Sequence, residues 1–220
     1  MRILALDTAT PVTTVALLDT GGAIYEAADT PPAGSRGHHA QAALILAAGV
    51  LADAGLAWAE LDLVGVGVGP GGYTGLRIGL ATARGIARSS AAALEGVGTL
   101  RALAEPLAGQ TALALIDARR GELFTAAYLD DVEVLRPQVI APDMLAGLLA
   151  PGAVAVGDGA LAHRPALERA GHRVPPDGSP LHAVSAAAIC RIAAAGGGGE
   201  PLALYLRRPD AERSLDGQPR

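Results

Sequence analysis

With 220 residues, half of them hydrophobic but only 3% aromatic, the chain can bury a sizeable core built from Ala, Leu, Val and Ile, as one large domain or two of about half its length. The net charge of −5 argues against tight, independent binding to nucleic acid, which needs cationic neutralisation of phosphates. All 17 Lys-plus-Arg positions are Arg, which excludes a Schiff-base lysine and a P-loop lysine. Cys190 is the only cysteine, which excludes an intramolecular disulfide and a cysteine zinc site, and its apolar surroundings read as core. Asp7 interrupts the apolar start, and the longest uncharged apolar run, residues 42–52, is too short to span a bilayer. A cytoplasmic protein with no membrane contact is expected.

In chain order, three strand-like runs come first, at residues 2–6, 12–18 and 23–28, joined by turns at Thr10-Pro11 and residues 19–22. A helix is predicted over 39–54, a strand over 63–68 and a second helix over 74–87. The second half repeats the order, with strands at 111–116, 123–129 and 132–140, a helix at 142–149, a strand at 153–156 and a helix at 163–170. Asp7 and Asp117 end the leading strands of the two halves, 110 residues apart. Duplicated β-meander plus βα units predict an α/β, two-lobed actin-like (ASKHA, ribonuclease-H-like) fold. The lobes divide at residues 1–100 and 101–220, with the last segment able to pack back on the first lobe. The glycine run 196–199 reads as a flexible spacer, and residues from 209 onward as a polar, frayed tail.

The densest signal is the glycine-rich segment 65–80. Val64, Val66 and Val68 fit a buried strand, Gly69-Pro70-Gly71-Gly72 a tight turn, and Thr74 the N-cap of the following helix, with Arg77 where a capping box would place Glu or Gln. Such a loop normally invites a phosphate. Gly67 to Thr74 even has P-loop spacing, but Tyr73 stands where that motif needs Lys. A P-loop nucleotidase is excluded.

These residues resemble one family. Residues 2–10, Arg-Ile-Leu-Ala-Leu-Asp-Thr-Ala-Thr, resemble the opening of the TsaB (YeaZ) family, and residues 69–79 resemble its glycine-rich signature, with Gly72 and Tyr73 replacing the common Ser and Phe. Residues 116–122 and Tyr205-Leu206-Arg207 also match. The resemblance implies an actin-like fold and a subunit that binds and activates the transferase TsaD. That enzyme modifies adenosine 37 of ANN-decoding tRNAs to N6-threonylcarbamoyladenosine (t6A), with the ATPase TsaE joining the complex. It implies that tRNA is met only through the complex, that ATP or ADP and Mg belong to the complex interface rather than to this chain alone, and that a homodimer forms when TsaD is missing.

Asp7 with Thr8, Asp117 with Arg119, and Gly157 with Gly159 stand where an actin-like ATPase places its two phosphate turns and adenosine-side glycine turn. Ala9 and the Arg119-Arg120 pair occupy positions where glycines would be expected, so the nucleotide site reads as degenerate. Strand-end Asp more often caps a turn than positions a magnesium-bound phosphate. The helical His-x-x-x-His metal pair that the resemblance implies for the catalytic relative is missing here, because Ala43 follows His39 by four, and His38, His163, His172 and His182 have no metal-ligand spacing. No catalytic or metal residue is assigned; the alternative is an actin-like ATPase or metallopeptidase in its own right. Gly75, Gly79, Ala83 and Ala87 recur every four residues, and Ala43, Leu44, Ala47, Val50 and Leu51 make a broad apolar face. Such stripes usually pack on their own sheet. The resemblance turns them, with His39 and Ile78, toward a helical bundle with TsaD.

Overall fold

A computed structural model describes residues 1–32, 38–130 and 132–207. The expected tail from 209 onward, and Arg208, lie outside the described residues. The first sheet holds β1 (Ile3–Asp7), β2 (Thr13–Leu18), β3 (Ile24–Asp29), β4 (Leu63–Gly67) and β5 (Ala93–Val97), in the order β3-β2-β1-β4-β5. The second holds β6 (Thr111–Arg119), β7 (Glu122–Leu129), β8 (Val132–Ile140) and β9 (Val154–Val156), in the order β8-β7-β6-β9. Each is an antiparallel meander whose leading strand also pairs in parallel with the strand that follows a crossover. The duplication read from the sequence is therefore present over four strands of each sheet, and β5 has no counterpart strand among the described residues.

β1 is buried along its whole length, and successive side chains serve two cores, as strand geometry dictates. Leu4 and Leu6 join Val15, Leu17, Val64 and Val66 beneath α1 (His39–Asp53) and α2 (Tyr73–Ser90). Ile3 and Ala5 face the other way, toward a central core shared with α3 (Thr99–Ala104), α6 (Ala186–Ala194) and the inner face of the second sheet. A third core lies under the short helices α4 (Asp158–Ala162) and α5 (Arg164–Arg169). The layers run α1/α2, first sheet, α3/α6, second sheet, α4/α5. The expected lobe boundary at residue 100 falls inside α3, which packs on β6 and β7, while α6 packs back on β1 and β2.

Several local expectations change. Gly72, not Thr74, is the N-cap of α2, and no side chain caps it. Arg77 instead lays its guanidinium 4.0 Å from the Tyr73 ring centroid. The helix expected at 142–149 is a 3₁₀ turn, Pro142–Gly147. Residues 196–199 are no free spacer, since Gly96 and Gly199 exchange backbone hydrogen bonds of 2.8 and 2.9 Å and Gly197 N–H donates to Ile192. Cys190 is a core thiol against the Ile3 and Ala16 carbonyls, and burial pushes its pKa up to about 12.

Candidate functional site

A cleft of about 550 Å³ opens between the lobes. Its walls are the β1–β2 turn at Thr8 to Pro11, the start of α2, the end of β6 with Asp117 to Arg119, and residues 204–207. His39 also borders it, its Nδ1 2.8 Å from Thr13 Oγ1, and burial lowers its pKa.

Asp7 does not reach this cleft. It is fully buried, with Ala9 N–H donating to Oδ1 at 2.8 Å and Thr99 Oγ1 donating to Oδ2 at 2.9 Å. Gly67 lies directly against the carboxylate, where any Cβ would collide with Oδ2. Burial raises the Asp7 pKa, with those hydrogen bonds partly opposing the shift. Thr8 is buried as well, and its hydroxyl donates to the Gly75 carbonyl at 2.8 Å.

The glycine loop is consumed by packing. Gly72 N–H donates to the Ala9 carbonyl at 2.7 Å, Gly69 N–H to Thr99 Oγ1 at 3.1 Å, and a Cβ at Gly71 would collide with the Ala9 carbonyl. Its glycines bring α2 down onto the β1–β2 turn.

In the second lobe, Asp117 and Arg119 do border the cleft. The Asp117 carboxylate accepts from the Arg119 backbone N–H at 2.7 Å and pairs with its guanidinium at 3.4 Å. Gly157 and Gly159 pack under β6, where a Cβ on Gly157 would collide with the Leu115 carbonyl. The Gly157 N–H is taken by His182 Nδ1 at 3.2 Å, so it is not offered to a phosphate. Asp158, between them, borders the cleft, accepts the Asp117 and Gly159 N–H groups, and has its pKa raised by burial. Of the residues read as phosphate and adenosine turns, Thr8, Asp117 and Arg119 thus border the cleft, and Asp7, Gly157 and Gly159 do not. Among the described residues, no three His, Cys, Asp or Glu side chains come together as a metal site.

The expected interface residues divide sharply. Ala43, Ala47, Val50 and Leu51 of α1, and Gly75, Gly79 and Ala83 of α2, are buried against their own sheet. The α2 stripe turns inward because Gly75 sits on the Thr8 carbonyl and Gly79 on the Thr8 hydroxyl, where a Cβ would collide with each. Only Leu44 is exposed, with His39 and Ile78 half-buried. The outward face of α1 is nevertheless apolar, with Leu44 49% and Ile45 70% exposed beside exposed Ala48, Gly49 and Ala52. On α2, Ala81 and Gly85 are exposed on the same side as Ile78. Ile45 and Ala48 escaped the sequence reading because α1 is apolar all round, which hides which face is inner.

A protein-family model described as TsaD, tRNA N6-adenosine threonylcarbamoyltransferase, matches residues 30–191, well over half of the chain. The chain belongs to this family, in its TsaB (YeaZ) branch. TsaB of Escherichia coli, a tRNA threonylcarbamoyladenosine biosynthesis protein, is 33% identical over 156 residues, 64% of each chain. An uncharacterised Mycobacterium leprae protein is 35% identical over 214 residues, 96% of this chain but 56% of its own length, so this chain spans little more than half of that relative. A Mycobacterium tuberculosis relative, also 35% identical, is covered over 93% of its length. YeaZ from Pseudomonas aeruginosa superposes with a TM-score of 0.79 over 93% of this chain and 99% of its own, at 24% identity. The chain is thus a TsaB-type member of a t6A-biosynthesis family with the actin-like fold. Among the described residues, no helix is long and apolar enough to cross a membrane.

Proposed function

We propose that this chain is a non-catalytic subunit that docks onto a TsaD-type transferase and activates it for threonylcarbamoylation of adenosine 37 in ANN-decoding tRNAs. The observation that carries the reading is the outward apolar face of α1, centred on Leu44, Ile45, Ala48 and Ala52. Water-exposed Leu and Ile beside small residues let a partner helix approach closely, and each fully buried aliphatic side chain contributes about 1.5–3 kcal/mol. The family model that matches this chain is that of TsaD, so a partner of that type shares the fold and brings a helix pair of its own. Two such pairs can close into a bundle of four. Without that partner the same face pairs with a second copy of this chain. TsaE joins the larger complex, ATP or ADP with Mg binds at the complex interface, and tRNA is met only there.

The test is reconstitution. Mixed with a TsaD-type subunit, TsaE, tRNA, ATP and threonylcarbamoyl-adenylate, this chain stimulates transfer and shows none alone. Transfer by the isolated chain, or ATP turnover by it, would instead support the reading of an enzyme in its own right.

A further inference from the structure

The two cleft walls belong to different lobes, and residues 200–207 cross between them without forming a strand or helix. On the first lobe, Leu204 N–H donates to the Val68 carbonyl at 2.7 Å and Arg84 donates to the Pro201 carbonyl at 2.9 Å. Arg77 Nε donates to the Tyr205 hydroxyl at 3.2 Å, and the Tyr205 ring lies 5.3 Å from that of Tyr73 at the start of α2. Leu206 then packs on the central core, and Arg207 reaches the second lobe. There its Nη1 donates to the Ala118 carbonyl at 2.9 Å and to the Glu122 carboxylate at 3.0 Å.

Those two acceptors flank the β6–β7 turn, where Arg119, Arg120 and Gly121 take φ of +64°, +58° and +73°. Left-handed backbone is disfavoured for residues with a Cβ, so two successive arginines hold it only where surrounding contacts impose it. Arg207 grips both sides of that turn. The lobes otherwise meet through the core around α3 and α6; no residue of those two helices borders the cleft, though Ile116, Ala118 and Phe124 of that core line it.

We propose that residues 200–207 are an interlobe strap that sets the width of the cleft and holds the β6–β7 turn in its left-handed form. While it is engaged, the lobes cannot rotate to close the cleft. Releasing Arg207 frees the lobe angle and the arginine turn together. This inference does not depend on the partner reading.

The buried Cys190 makes the test direct, because cysteines introduced at exposed Ala59 and Met144 are the ones that label. Spin labels at those two positions, read by double electron–electron resonance, report the interlobe distance. With the strap intact a single narrow distribution is expected, and in Tyr205→Ala/Arg207→Ala a broader one. An unchanged distribution in that folded variant would overturn the proposal. If that variant does not fold, Arg207→Met alone decides in the same measurement: a broader distribution supports the strap, and an unchanged one rejects it.

Discussion

The two lobes share a strand order but not their helices. After its meander the first lobe builds α1 of 15 residues and, after β4, α2 of 18. At the matching places the second has a 3₁₀ turn of six residues, then α4 of five and α5 of six. A helix of one or two turns cannot present both an inner stripe to its sheet and an outer stripe to a partner. Only the first lobe has room for both. Its inner stripe mixes larger aliphatic residues with Gly75 and Gly79, which let α2 sit on Thr8, and its outer stripe is left apolar in water. The strand-end aspartates differ in the same way, with Asp7 sealed beneath the glycine loop and the Asp117 side chain 39% exposed and paired with Arg119.

The largest effect is expected from breaking the inner stripe. Gly79→Leu forces a side chain into Thr8 and should cost about 3 kcal/mol or more of monomer stability, read as a fall in denaturation midpoint. Gly147→Ala, at an exposed glycine of the second lobe with nothing near its Cβ position, should stay within about 0.5 kcal/mol. Equal losses in the two variants would erase the contrast between the lobes.

A smaller effect, with a defined pH dependence, is expected at Asp7. Burial raises its folded-state pKa above the ordinary carboxylate value of about 3.9, so protonation favours the folded chain. Stability from this residue is therefore lost as pH rises from that ordinary value through the raised one. Asp7→Asn removes the loss, and its stability relative to the parent chain should climb across that window. A difference that stays flat with pH would show that Asp7 is not desolvated as its burial indicates.

Much of this organisation was legible in the sequence. The apolar runs of β1, β2 and β4 declare buried strands, and the spacing of Asp7 and Asp117 declares the duplication. What escaped was short or distant. α3 and α4 span six and five residues, too few for a helical period to emerge. Thr99, which seals Asp7, lies 92 residues away in one of those elements. The Gly75, Gly79 and Ala83 stripe was visible, but a stripe does not say which neighbour it faces. That was decided by the backbone and hydroxyl of Thr8, and the glycine loop likewise by the Ala9 carbonyl that takes its Gly72 N–H.

The outer face of α1 is the central claim, and one substitution addresses it. Titrating Ile45→Asp into a TsaD-type subunit in a calorimeter places a carboxylate where the account requires a buried aliphatic side chain. Because Ile45 is exposed in the free chain, the variant should melt within about 2 °C of the parent yet bind about 100-fold more weakly. Binding as tight as the parent's, by a variant just as stable, would contradict the account.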